Sequence, residues 1–417
     1  MWKQIEGSRA IAETVAMCRP QVICAYPITP QTHIVEGLGE LVKSGELAGC
    51  EFLNVESEFG ALSVAIGASA TGVRTYTATA SQGLLFMAEA VYNAAGLGLP
   101  IVMTIGNRAI GAPINIWNDH SDSMSMRDSG WIQLFAETNQ EATDLHIQAF
   151  RLAEELSCPV MVCVDGFILT HAYDRIDLPL QHQVDAWLPR FEPRQVLDPA
   201  EPVSIGAMVG PDAFTEVRYL AHNKQLQALE RIPEISGEFY EMFGRESGGL
   251  LRPYRLDGAE IVVVALGSVN GTIQEAIDEL RDQGVLIGSI SICSYRPFPL
   301  EAVCRALMNA KRVVVVEKSL SVGLGGMLAT DVQMALAGRR QKVFTVIAGL
   351  GGRPITKASL LKLFRQAKAD ALESVTFLDL NWNVINRQLA RENATRRSGP
   401  AAESILKDLA TLPTKMV

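Results

Sequence analysis

Short apolar runs alternate with segments of helical period through the first 180 positions. The runs are 21–26 (QVICAY), 50–55 (CEFLNV), 73–79, 100–106 (PIVMTIG) and 158–165 (CPVMVCVD). Helix-like patterns lie between them at 31–43, 57–71, 81–96 and 141–157. Near-continuous apolar strands separated by helices predict a parallel sheet covered on both faces, which is a doubly wound α/β domain. The same pattern returns at 260. Strands are expected at 260–268 (EIVVVALGS), 285–292 (VLIGSISI), 312–318 (RVVVVEK) and 342–349 (KVFTVIAG), with helices over 271–283, 299–310 and 325–337. Between the two patterns, 172–256 holds eight of the nineteen prolines. It shows little periodicity apart from a helix near 214–231, and reads as a partly irregular connector packed on the surface or on a partner. The tail after 390 is polar and charged, a partner-binding arm or a loosely held segment. The expected domains are 1–180, a connector 181–256, a second α/β domain 257–375 and an extension 376–417.

Composition narrows the classes. The 417 residues are 48% hydrophobic and 20% charged, enough for large cores. A net charge of −9 argues against nucleic acid and anionic membrane as partners. The start, MWKQIEGSRA, lacks the apolar core of a signal peptide. The apolar stretch 90–107 is broken by glycines, a proline and asparagines, so it reads as helix, turn and strand rather than a membrane span. The cysteines Cys18, Cys24, Cys50, Cys158, Cys163, Cys293 and Cys304 form no CxxC pair. Neither a zinc site nor an iron–sulfur cluster held by this chain alone is supported. Reduced thiols in a cytoplasmic protein are expected.

Ligands of open parallel sheets bind at the carboxyl ends of the strands, and the unusual residues of the first domain fall there. The first strand ends in YPITP (26–30), the next in Glu56, Ser57 and Glu58, the third in TASQG (79–83), the fourth in GNR (106–108) and the fifth in DGF (165–167). Proline fixes its own φ and biases the preceding residue toward extended shapes. YPITP is therefore an ordinary connection or a rigid rod that presents Thr29. Glu58 is a helix-start carboxylate complementing the macrodipole or a buried acid beside a ligand. The segment after it is rich in small residues (Gly60, Ala61, Ala65, Gly67, Ala68, Ala70, Gly72), which permits close approach of another backbone. Arg108 is a surface ion-pair residue or a fork for a substrate carboxylate. Asp119, His120 and Asp122 could ligate a metal, but such spacing in a loop more often caps turns, and no metal is assigned. SVGLGGML (321–328) follows a strand like a nucleotide loop but lacks the third glycine of that motif.

As an ordered set, GSRAIAE (7–13), YPITPQT (26–32), VESEFGALSVAIGASATG (55–72), TATASQGL (77–84), GNRAIGAP (106–113), DHSD (119–122), RDSGW (127–131), DGF (165–167) and SYRPFP (294–299) resemble the α subunit of the 2-oxoacid:ferredoxin oxidoreductases. The likeness is strongest to the pyruvate branch and reaches to about residue 370. It implies a thiamine-type pyrimidine-binding α/β domain followed by a domain like the transketolase C-terminal one. Thiamine diphosphate is then shared with a β chain, with magnesium and 4Fe–4S clusters on partner chains. In keeping with this, the sequence shows no diphosphate- and magnesium-binding signature. The resemblance assigns Glu58 to the aminopyrimidine ring as the catalytic residue, and Thr29 and Arg108 to the oxoacid. Pro30, Ser81 and Gln82, from the same turns, are expected at the cofactor.

The implied reaction is oxidative decarboxylation of pyruvate with coenzyme A to acetyl-CoA and CO2, or its reverse, with electrons passed to ferredoxin. The implied partners are β, γ and ferredoxin-like δ subunits. A branched-chain 2-oxoacid enzyme shares much of the same pattern. From another class, the alternative is a non-catalytic electron-transfer or nucleotide-binding α/β subunit, which would need a phosphate loop.

Overall fold

A computed structural model describes residues 2–394 and 401–411. In chain order the strands are β1 (Trp2–Glu6), β2 (Val22–Ala25), β3 (Glu51–Asn54), β4 (Thr75–Thr79), β5 (Ile101–Asn107), β6 (Ile132–Phe135), β7 (Val160–Asp165), β8 (Tyr173–Asp177), β9 (Leu251–Tyr254), β10 (Ile261–Ala265), β11 (Ile287–Ile292), β12 (Ser294–Arg296), β13 (Arg312–Glu317), β14 (Lys342–Ile347) and β15 (Val375–Phe377). The first sheet has the order β12-β6-β7-β5-β4-β2-β3. All its pairs are parallel except β12 with β6. The second has the order β15-β14-β13-β10-β11-β9, with β10, β11, β13 and β14 parallel and β9 antiparallel at the edge. β1 and β8 form a separate antiparallel ribbon.

The apolar runs became strands because helices cover both faces. β4, β5, β7 and β10 are buried at every position, as parallel strands between two helical layers must be. β9 and β12 carry too few residues to show a period. Pro253 sits on β9, an edge strand where a missing N–H is tolerated. The connector is more regular than its prolines suggest. Its helix spans Pro211–Phe243, well past the expected 214–231, with Pro211 at its start and Pro233 inside. Burial of Ile232, Ile235 and Phe239 in the core of the first sheet carries the helix through the proline, because packing outweighs propensity.

The chain forms two compact units, one up to Thr376 and one from Phe377. In the second, helices Trp382–Ala394 and Ala401–Thr411 are joined by Gln388 and Arg391 donating to Asp408 at 2.8 and 2.9 Å. Positions 395–400 and 412–417 of the expected tail lie outside the described residues.

The site is set by one topological fact. β2 pairs with β3 on one side and with β4 on the other, so the chain reverses its direction across the sheet there. At such a switch point the loops leaving the carboxyl ends diverge and open a crevice. The loops that flank it are YPITP and TASQG.

Candidate active site

The turn after β2 folds onto itself. Gln31 is fully buried, and its Nε2 donates to the Tyr26 carbonyl at 3.0 Å. The Thr29–Pro30 peptide is cis. Pro30 packs on two glycines at neighbouring strand ends. A Cβ on Gly166 would lie 2.5 Å from Pro30 Cγ and 2.4 Å from the Asn107 carbonyl oxygen, and one on Gly106 would lie 3.6 Å from the same ring. The absence of side chains at 106 and 166 lets the turn seat against the ends of β5 and β7.

Arg108 leaves the end of β5 and is 7% exposed. Nη1 donates to the Thr29 carbonyl at 2.9 Å and Nε to the Asn115 carbonyl at 3.1 Å. Nη2 has no hydrogen-bond partner, and the guanidinium no carboxylate within ion-pair distance, among the described residues. Burial lowers the proton affinity of this guanidinium, and the charge of Asp122 acts the other way. Thr29 itself is exposed at the turn, and the two residues expected to share a substrate are in direct contact.

Asp122, named only as a conceivable metal ligand in the sequence, organises the neighbouring backbone. Its Oδ2 accepts from the backbone N–H groups of Ser81 and Arg108, both at 2.9 Å. Its Oδ1 accepts from Asn107 Nδ2 and from the Ser123 N–H, both at 2.8 Å. One carboxylate thus fastens the end of β5 to the turn after β4. Complete burial pushes the Asp122 carboxyl up to about 6, while its N–H donors pull the other way. Ser81, held there, takes a positive φ of 50°, a strained choice for a non-glycine residue. Its hydroxyl oxygen lies 2.5 Å from the Ala109 carbonyl and also within hydrogen-bond reach of Gln82 Oε1, so its one proton is shared or goes to one of them. Gln82 lies beside Gly111, where a Cβ would meet Gln82 Nε2 at 2.6 Å.

Glu58 begins the helix Glu58–Ala70, whose cap is Ser57; the Ser57 hydroxyl accepts from the Gly60 N–H at 3.1 Å. With the cap supplied by Ser57, the Glu58 side chain turns inward and is 8% exposed. A Cβ on Gly83 would lie 2.7 Å from Glu58 Oε1 and 2.6 Å from Thr79 Oγ1. Among the described residues the Glu58 carboxylate makes no hydrogen bond, and the buried Thr79 hydroxyl also lacks a partner. Glu56, two residues earlier, is exposed.

The second sheet braces this edge. Lys318, just past β13, donates to Asp165 Oδ2 at 2.6 Å and to Asn118 Oδ1 at 3.1 Å. Asp165 also meets His120 Nε2 at 2.6 Å and accepts from the Ser268 backbone N–H at 3.0 Å. Burial alone would raise the Asp165 carboxyl, but Lys318 and His120 override it and hold it well below the usual carboxylate range. The Gly351 N–H donates to Asp119 at 3.0 Å, and Asn115 Nδ2 donates to the Gly351 carbonyl at 3.1 Å. Asp119, His120 and Asp122 therefore go to three separate partners and do not converge on a metal. Sequence reasoning missed Lys318, Asn115 and Gly351. The visible signal was the charged pair Glu317 and Lys318 directly after four consecutive valines.

The SVGLGGML turn is filled by the protein itself. Glu317 is buried and accepts from the backbone N–H groups of Met327, Leu328 and Ala329 at 2.8, 3.0 and 3.1 Å. A carboxylate occupies the helix start that a phosphate loop would leave open.

A family described as pyruvate flavodoxin/ferredoxin oxidoreductase, thiamine diP-binding, matches residues 13–236. A second, pyruvate:ferredoxin oxidoreductase core domain II, matches 259–360. A pyruvate synthase subunit PorA of Methanosarcina barkeri is 47% identical over 385 residues, covering 90% of this chain and 96% of the relative. Its counterpart in Methanothermobacter thermautotrophicus is 46% identical, covering 91% and 98%. A ketoisovalerate oxidoreductase subunit VorA of Pyrococcus abyssi is 39% identical, covering 88% and 93%. Among solved structures, a 2-oxoglutarate:ferredoxin oxidoreductase from Magnetococcus marinus superposes with a TM-score of 0.67 at 18% identity, over 88% of this chain and 65% of that one. A split-gene transketolase superposes with a TM-score of 0.52 at 14% identity, over 88% and 99%.

Proposed function

The chain belongs to the pyruvate flavodoxin/ferredoxin oxidoreductase family, and on that premise we propose that it is the α subunit of a thiamine diphosphate-dependent pyruvate:ferredoxin oxidoreductase. The assembled enzyme interconverts pyruvate and coenzyme A with acetyl-CoA and CO2 and exchanges electrons with ferredoxin. The β, γ and δ chains are assigned to the assembly, with magnesium and 4Fe–4S clusters held by them. The observation that carries the substrate reading is Arg108, a buried guanidinium beside the Thr29 turn with no carboxylate partner among the described residues. A planar fork of N–H donors matches a carboxylate, which a 2-oxoacid brings.

The residues fit the cofactor as well. Among the described residues Glu58 offers a buried carboxylate without a hydrogen-bond partner, over a glycine and beside an unpaired hydroxyl, which suits a polar ring nitrogen. Bound thiamine diphosphate supplies the carbon nucleophile and the electron sink for decarboxylation. Glu58 holds or shares a proton at the ring nitrogen. Arg108 orients the substrate carboxylate, and the Thr29 hydroxyl donates to it. Asp122 fixes the backbone of Ser81 and Arg108, and Pro30, Ser81 and Gln82 line the cofactor side.

The branched-chain alternative is favoured less, since pyruvate synthase subunits reach higher identity than the ketoisovalerate subunit. The test is the complex as isolated. Pyruvate is expected to support coenzyme A-dependent ferredoxin reduction with a higher kcat/KM than 2-oxoisovalerate. A preference for the branched substrate would overturn the assignment.

A further inference from the structure

A second cluster of ligating groups lies on the β1 side, apart from the residues assigned above. Glu6 ends β1, His33 lies in the first turn of the helix Thr32–Ser44, and His171 lies in the turn after β7. Their ligand atoms all lie within 4.8 Å of one another. His33 Nδ1 is 2.7 Å from Glu6 Oε1, and the two imidazole rings are 4.7 Å apart between centroids. The Glu6 side chain is 12% exposed and that of His33 46%, so the cluster has a rigid floor and an open side through which an ion can enter.

The floor is built by main-chain contacts. The Gly7 N–H donates to the Ala172 carbonyl at 2.9 Å, the Ser8 N–H to the Thr170 carbonyl at 2.9 Å, and the Ser8 hydroxyl to the same oxygen at 2.7 Å. A Cβ on Gly7 would lie 2.3 Å from the Leu169 carbonyl oxygen. The first residues of GSRAIAE therefore clamp onto the 169–172 turn and bring Glu6 to His171. The Thr170 hydroxyl oxygen accepts from the Phe167 N–H at 2.8 Å and meets His171 Nδ1 at 2.8 Å. With Nδ1–H donating to that oxygen, Nε2 keeps its lone pair for an ion. An outer hydrogen bond that fixes the ring and its tautomer is the usual support of a ligating histidine.

We propose that Glu6, His33 and His171 form a binding site for a divalent transition-metal ion such as zinc. Two imidazoles and a carboxylate suit zinc-type ions, which take three such ligands and keep a fourth position for water. Magnesium and calcium prefer sets of oxygen ligands alone. The ion would pin the end of β1, the helix that follows YPITP and the turn that follows DGF. The Phe167 ring connects the cluster to the substrate side, 4.7 Å from His171 and 6.5 Å from Trp117 between centroids. The ion's role is to hold the mouth of the site together, not to react.

The test is calorimetric titration of the chelator-treated full-length chain with Zn²⁺ alone. One saturable site in the micromolar range or tighter is expected. Thr170→Val is expected to weaken it by the ~10–100-fold typical of an outer-shell partner, while Glu6→Gln, His33→Gln and His171→Gln weaken it more. His182→Gln, at an exposed histidine elsewhere, is expected to leave it unchanged. If Glu6→Gln or His171→Gln fails to fold, His33→Gln, the most exposed ligand, decides. Binding that survives His33→Gln, or no saturable micromolar binding to the wild type, would overturn the proposal and leave a hydrogen-bonded Glu–His pair.

Discussion

Burial lowers the proton affinity of the Arg108 guanidinium, against the charge of Asp122, and two carbonyls fix its plane. Arg108→Lys keeps a charge but loses the fork. The KM for pyruvate is expected to rise strongly while the affinity for thiamine diphosphate stays within a few-fold; equal losses would give Arg108 another job. Asp122 makes a separate prediction. Its carboxyl is raised from 3.8 to about 6, so the folded state binds the extra proton between those values. The contribution of Asp122 to stability is therefore full below the unfolded value and is lost as pH rises through about 6. At 1.36 kcal/mol per unit, Asp122→Asn is expected to gain about 3 kcal/mol on wild type between pH 3 and pH 7 in denaturant unfolding. A difference that does not change with pH would contradict this.

The parallel strands, with the helices between them, were legible where the apolar run was long enough to show its period, as at β4, β5, β7 and β10, which are buried at every position; the four-residue β6 was not, although it pairs parallel with β7 and is fully buried. The two edge strands β9 and β12 were not, since three or four residues carry no period and one includes a proline. The helix Pro211–Phe243 was half legible, because its buried stripe near Ile232 and Phe239 is decided by tertiary packing. Thr29, Arg108 and Glu58 could be singled out from their places at strand ends. The bracing by Lys318 could not, since it depends on how the second sheet docks at β7. That contact makes a prediction of its own. Lys318→Met leaves Asp165 with His120 and Ser268 but without its ammonium, and removing one partner of a buried pair costs ~3–5 kcal/mol. Guanidinium unfolding of the full chain is expected to report a loss of that order, and a change under ~1 kcal/mol would place the pair among those of little consequence.

Above these elements stands the assembly. The helix Glu58–Ala70 exposes Phe59, Ser63 and Gly67 on one face, and the exposed Phe86 ring lies 6.4 Å from that of Phe59 between centroids. A Cβ on Gly67 would have nothing within 4 Å. Gly67→Leu is therefore expected to leave the isolated chain's melting temperature unchanged yet weaken assembly by ~1–3 kcal/mol or more through overpacking; equal assembly would remove this face from the subunit contact. No helix among the described residues is long and apolar enough to cross a membrane, and activity is expected only with the partner chains present. Glu58 is then the residue on which the account turns. Glu58→Gln keeps the volume and can still hydrogen-bond the ring nitrogen, but it cannot share a proton there. The decisive measurement is deuterium exchange at C2 of thiamine diphosphate bound to the assembled enzyme. For Glu58→Gln, exchange and kcat are expected to fall together by the ~10²–10⁴-fold typical of general acid–base catalysis, while Glu56→Gln exchanges nearly as fast as wild type. Wild-type exchange in Glu58→Gln, with or without slow exchange in Glu56→Gln, would contradict the assignment.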